Sequence, residues 1–150
     1  MTDNDRARMR SSLLARRAAF VAGLPPSVRT LAFRVLPSPV LAQIPAGSRI
    51  AIYRAMGSEA PTEAMIDFLH ERGFPLCLPR LGKTVAEDME FADWSPDDIL
   101  VPGQLRIPQP APQAATVTPD IVLTPMVGFD RTLNRIGHGA GYYDRAFAKL

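Results

Sequence analysis

The chain holds a single cysteine among 150 residues, Cys77, inside the apolar run Pro75–Pro79. One thiol cannot close an internal disulfide and offers no metal-type cysteine spacing, so a reducing compartment is expected. The simplest role for Cys77 is that of a small buried hydrophobe. Long apolar runs are also missing: none approaches the roughly 20 residues that a membrane-spanning helix needs. The N-terminus is polar and charged, without the apolar segment of a signal peptide, and the expected location is the cytoplasm. Lysine is scarce as well. Arginine supplies 15 of the 17 basic residues, the net charge is only +2, and no basic run is interleaved with aromatics. Neither nucleic acid nor a membrane surface is demanded as a partner. Arginine is the better bidentate partner for phosphate and carboxylate, so the basic residues point to ligand anions.

An apolar fraction of 47% over 150 residues suits one globular domain with a real core. Proline, at 15 residues, stands at about twice average usage and implies many ordered turns. Asp3-Asn4-Asp5 offers caps for a helix from Arg6 to about Ala22, with Met9, Leu13 and Phe20 towards one side. Arg6, Arg8, Arg10, Arg16 and Arg17 make that helix basic, either as a solvated face or as a phosphate contact. Pro25-Pro26 breaks the chain. Ser27 is placed to cap a second helix, in which Val28, Leu31, Ala32 and Val35 form an amphipathic stripe, ended by Pro37-Ser38-Pro39. Arg49–Tyr53 reads as an inner strand. The helix expected over Pro61–Arg72 turns Met65, Ile66 and Leu69 inward, leaves His70 in solvent, and ends at Gly73. Strands are expected at Phe74–Pro79, at Met89–Phe91 and at Ile121–Leu123, the last covered on both faces. Pro102–Pro110 reads as an ordered, non-helical arm, and Ala111–Thr118 as a connection without function. Trp94 is either a stacking surface or a packing residue.

The chemistry concentrates near the C-terminal end. Gly137, Gly139 and Gly141 alternate with His138 and Ala140, so the backbone there brings amides close to a ligand with no Cβ in the way. A helix expected from Tyr142 to Leu150 follows. Loop amides and a helix start together favour an anion, most often phosphate. A simple tight turn explains the glycines equally well. Arg135 and Arg145 flank the loop, and Asp144 is the carboxylate for a phosphate-bound cation. Glu59 sits past the C-terminal end of a strand, the edge where open α/β sheets bind ligands, and otherwise reads as a surface charge.

The whole segment Arg135-Ile-Gly-His-Gly-Ala-Gly-Tyr-Tyr-Asp-Arg145 resembles the signature of the 5-formyltetrahydrofolate cyclo-ligases, also called methenyltetrahydrofolate synthetases. Their signature reads Arg-Leu-Gly-x-Gly-x-Gly-Tyr/Phe-Tyr-Asp and is preceded by Pro-Gly-x-x-Phe-Asp. Pro125-Met-Val-Gly-Phe-Asp130 matches the latter, with Met126 in place of glycine. Arg6-Ala-Arg-Met-Arg10 is similar to the family's N-terminal Lys-x-x-Leu-Arg motif, with Arg6 at the lysine position.

The resemblance implies a fold and an activity. The fold is α/β: an open, largely parallel sheet flanked by helices in a single CoA-transferase-like domain over residues 1–150. The activity is ATP- and Mg2+-dependent conversion of 5-formyltetrahydrofolate to 5,10-methenyltetrahydrofolate through a phosphorylated formyl (iminium phosphate) intermediate. Arg6, Arg10, Arg135, Gly137, His138, Gly139, Ala140 and Gly141 are then expected to bind the nucleotide. Glu59 and Met56 are expected to bind the folate, and Asp144 the Mg2+. Tyr142 and Tyr143 either line the reacting centre or pack the helix. The expected protein is a monomer or weak homodimer acting on a small molecule. Family members usually continue for a few dozen residues, with a further strand and a metal-binding aspartate. The rival expectations are an inactive relative that binds nucleotide, folate, RNA or protein, and a sugar-phosphate or acyl-CoA enzyme that binds no folate.

Overall fold

The computed structural model describes residues 2–84 and 87–150. It opens with α1 (Asp3–Ala22). Thr2 is the N-cap, and Asp5 of the expected Asp3–Asp5 segment completes the capping box. The Thr2 hydroxyl accepts the Asp5 amide at 3.2 Å while the Asp5 carboxylate accepts the Thr2 amide at 3.0 Å, a reciprocal closure of the helix's free N–H groups. The inward face expected for Met9 and Phe20 is not found: they are 46% and 68% exposed, and α1 buries no residue. The helix lies across loops instead of along the sheet. It touches them through Arg10 and Arg17, and lies against Gly128 of the last hairpin through Leu13; the three share one face at i, i+3 and i+7.

The short helices α2 (Pro26–Leu31) and α3 (Ser38–Leu41) follow. Pro25 precedes α2 and no side chain caps it, so Ser27 is not its cap. The expected stripe is also overturned: Val28, Leu31 and Val35 are 47%, 62% and 54% exposed. The helix stops at Leu31 and Ala32 turns extended, so Val35 no longer shares a helical face. Pro39, read as part of a helix stop, lies in the first turn of α3, where a missing N–H costs nothing.

The central sheet runs in the order β3 (Glu90–Asp93), β2 (Leu76–Arg80), β1 (Ile50–Ala51), β6 (Ile121–Val122). β1 is parallel to β2 and to β6, and β3 is antiparallel to β2, so the sheet is mixed and mostly parallel. Alternation of side chains builds two cores. Ile50, Ile52, Leu76 and Leu78 meet Met65, Ile66 and Leu69 of α4 (Glu63–Glu71), together with Trp94. Trp94 is therefore a packing residue, 5% exposed. On the other face Ala51, Cys77 and Phe91 meet Ala146, Tyr142 and Tyr143 of α5 (Tyr142–Phe147). Ile121 joins the first core and Val122 the second, so β6 is covered on both faces, though its outer place leaves it half-buried.

The arm at 102–110 is more regular than expected. β4 (Val101–Pro102) pairs with β5 (Pro108–Gln109) around a 3-10 turn at Gln104–Arg106, closed by the Gly103 amide on the Ile107 carbonyl at 2.9 Å. The connection after it also has a place. Arg80 Nη1 donates to the Ala111 and Ala114 carbonyls at 2.8 Å each, and the Val117 amide donates to Phe91 at 2.8 Å. A last hairpin, β7 (Gly128–Phe129) with β8 (Arg135–Ile136), delivers the chain to the glycine loop.

Candidate functional site

The loops leaving the C-terminal ends of β1 and β6 lie side by side because those strands are parallel neighbours. From β1 comes the turn Met56–Glu59. The Glu59 amide donates to the Met56 carbonyl at 3.0 Å, and the Glu59 carboxylate accepts the Met56 amide at 2.8 Å. The turn therefore fixes its own carboxylate. The other Glu59 oxygen faces His138 Nε2 at 3.5 Å, and the Glu59 side chain is only 11% exposed. Glu59 is thus not a surface charge: it joins the first loop to the glycine loop.

Arg10 makes the second junction. Its Nε donates to the Gly137 carbonyl at 2.7 Å. Its guanidinium lies over Gly139, where a Cβ would come within 3.2 Å of Arg10 Cζ. Gly139 has φ +106° and Gly141 φ +70°, and Gly141 precedes the first turn of α5 without a side-chain cap. Only glycine adopts such angles without strain. Bare amides beside an arginine suit the oxygens of a phosphate, so these residues fit a nucleotide.

Arg135 pairs with Asp144 and stacks on Phe147 at 4.9 Å. Asp144 is exposed and spends its carboxylate on that arginine. Among the described residues no group of three histidines, cysteines, aspartates or glutamates is placed to hold a metal. Magnesium borne on phosphates needs only one or two protein carboxylates, and Asp144 offers an exposed one in the helix after the glycine loop. The Ala140 carbonyl accepts Arg145 Nη1 at 3.0 Å. Arg6 is exposed, one turn before Arg10, and no hydrogen bond draws it to the loop among the described residues.

Tyr143 packs in the second core, and burial, with Glu59 adding to it, pushes its phenol well above the usual range. The group is a neutral O–H beside a carboxylate. Tyr142 donates to Gln104 Oε1 at 2.7 Å, tying α5 to the arm. A cavity of about 290 Å³ lies there, lined by Leu81, Lys83, Gly103, Gln104 and Gln109. A second cavity, about 380 Å³ beside Arg49, His70 and Trp94, sits at the opposite end of the strands and takes no part. Met56 is 48% exposed.

Sequence reasoning missed Tyr53 and Arg17. Tyr53 donates to the Ala60 carbonyl at 3.3 Å, and burial together with Glu59 raises its phenol. Arg17 binds Ser58 and Met126. Its place seven residues after Arg10 is the signal that was available. No helix among the described residues is long and apolar enough to cross a membrane.

Known proteins resemble this chain in sequence and fold. The 5-formyltetrahydrofolate cyclo-ligase of Escherichia coli is 32% identical over 100 residues, covering 64% of this chain and 55% of its own length. The cyclo-ligase of Mycolicibacterium smegmatis is 28% identical over 152 residues, covering 97% of this chain and 76% of its own. The chain thus spans about half the length of the first of these and three quarters of the second. The 5,10-methenyltetrahydrofolate synthetase of Aquifex aeolicus superposes with a TM-score of 0.74 at 21% identity, over 97% of this chain and 73% of that one. Its Mycoplasma pneumoniae counterpart gives 0.67 at 20%, over 97% and 79%. The fold is shared with both. Because the model of the 5-formyltetrahydrofolate cyclo-ligase family matches residues 2–150, the chain belongs to that family.

Proposed function

We propose that the chain closes 5-formyltetrahydrofolate to 5,10-methenyltetrahydrofolate, with ATP as second substrate and Mg2+ as its cation, in the cytoplasm and as a monomer or weak homodimer. The observation that carries this reading is the meeting of Glu59 with His138, beside the junction of Arg10 with Gly137, at one edge of the sheet. The reaction needs a nucleotide phosphate and a folate formyl group held side by side. An N-formyl oxygen is a poor leaving group. Transfer of the γ-phosphoryl group to it leaves ADP and makes an iminium phosphate. The second folate nitrogen then attacks the formyl carbon, the C–O bond breaks, and phosphate departs with the electron pair. Such chemistry is mostly positioning and charge neutralisation.

In this reading Arg6, Arg10 and Gly137–Gly141 hold the phosphates and Arg135 assists. Glu59 and Met56 hold the folate, Tyr142 and Tyr143 line the reacting centre, and Asp144 exchanges Arg135 for the cation. The test is ultraviolet absorbance of the methenyl product with purified chain, 5-formyltetrahydrofolate, ATP and Mg2+. ATP-dependent growth is expected; none from a folded protein would overturn the reading. The pairing of Asp144 with Arg135 favours a second reading, an inactive relative that binds ligand without turnover.

A further inference from the structure

We infer that Arg17 is a positioning residue, holding the Met56–Glu59 turn in place so that its loss weakens folate binding and spares nucleotide binding. The inference rests on the folate reading of Glu59. Arg17 Nε donates to Ser58 Oγ at 3.1 Å and its Nη1 to the Met126 carbonyl at 3.1 Å. One guanidinium therefore bridges the loop after β1 to the loop after β6, at the two parallel strands that define the site. A planar fork meets two acceptors at once, which a lysine ammonium on a flexible stem does not reproduce.

Besides Arg17, the turn is held by its own closure, by Arg29 and by the contact of Glu59 with His138. Glu59 and Met56 close it internally. Gly57, at φ +58°, would bring an added Cβ near nothing within 4 Å, so no packing fixes the tip. The Gly57 carbonyl is held by Arg29 of α2, which leaves Ser58 to Arg17. Burial and Glu59 raise the Tyr53 phenol while Arg17 pulls it down, so the arginine and the carboxylate act on the same spot. A carboxylate that must meet a ligand gains from such support, because a displacement of about 1 Å can cost about a hundredfold in rate. Arg10, by contrast, puts its hydrogen bond on Gly137 and its guanidinium over Gly139, both in the glycine loop. The helix α1 thus divides its work: its first half serves one ligand and its second half the other.

The test uses the full chain with Arg17→Met, Arg17→Lys and Ser58→Ala, each checked for folding by its melting temperature. Two readouts are needed: amide hydrogen exchange at Glu59, and KM for 5-formyltetrahydrofolate against KM for ATP. In Arg17→Met the Glu59 amide should lose protection and the folate KM should rise about tenfold, with the ATP KM within about twofold. Arg17→Lys should recover part of the loss. Ser58→Ala keeps the Met126 bond and should move both readouts the same way, less far. Unchanged Glu59 protection in both Arg17→Met and Ser58→Ala overturns the inference whatever the ligand is. Equal rises in both KM values overturn it too, by making the effect general. If the unsubstituted chain shows no folate turnover, the folate reading fails instead, and the Glu59 amide alone decides whether Arg17 holds the turn.

Discussion

Asp144 and Asp130 are both exposed carboxylates, one in the helix after the glycine loop and one at the turn of the hairpin before it, yet they are held in different ways. Asp144 faces a single arginine, an arrangement that a phosphate-borne cation can displace. Asp144→Ala is expected to abolish ATP-dependent ring closure while the melting temperature stays within a few degrees; unchanged turnover would remove its metal role. Asp130 instead accepts from the Asn134 and Thr132 side chains and from both their amides. These bonds, that of Asn134 first, lower its carboxyl to about 2 from 3.8. Its folded value lies below its unfolded one, so its contribution is complete above about 3.8 and fades as pH falls towards 2. Amide shifts of Thr132 and Asn134 should titrate with a midpoint near 2. A midpoint close to 3.8 would show that the turn is not formed in solution.

Among the elements, α1 has the least conventional attachment. It buries nothing and is moored by Arg10 and Arg17 to loop atoms and by Leu13 to Gly128 of β7. Segments with few buried contacts open at low free energy, ahead of the core. Arg10→Ala should therefore raise proteolysis within Asp3–Ala22 and leave exchange at Ile50–Ala51 and Leu76–Leu78 unchanged; equal deprotection of the strands would show that α1 is part of the core. This mooring explains what the sequence could reveal. The periodic segment at 61–72 was legible because Met65, Ile66 and Leu69 obey a burial rule, and the structure places all three in the core. The glycine spacing was legible in part: Gly139 and Gly141 take positive φ, while Gly137 does not. Met9, Phe20, Val28, Leu31 and Val35 misled because an apolar residue announces itself whether or not anything covers it. The segment at 111–117 was illegible for the opposite reason: backbone carbonyls, which every residue carries, bind it to Arg80. Arg17 and Tyr53 stayed hidden because their partners are a serine hydroxyl and carbonyls far along the chain, with no motif between them.

For the molecule as a whole, the two cores lie on opposite faces of one sheet, so they are expected to unfold together. Cys77 lies at 0% exposure in the second of them, and burial pushes its thiol up to about 12. Thiolate is the reactive form, so a disulfide reagent at pH 8 should modify Cys77 only as fast as the molecule unfolds. Modification within seconds in the absence of denaturant would mean that this core opens locally.

The bond from Arg10 to Gly137 joins residues 127 positions apart. During synthesis the residue that carries this guanidinium is made 127 residues before its partner. The strands can pair while α1 waits, since every partner of β1 and β2 lies between residues 50 and 122. Closing the longest loop comes last and is slow for entropic reasons. In refolding from denaturant, burial of Trp94 should accordingly precede the return of ligand binding. The chain would be compact first and competent second, with an interval in which it is folded in outline but blind to its substrate.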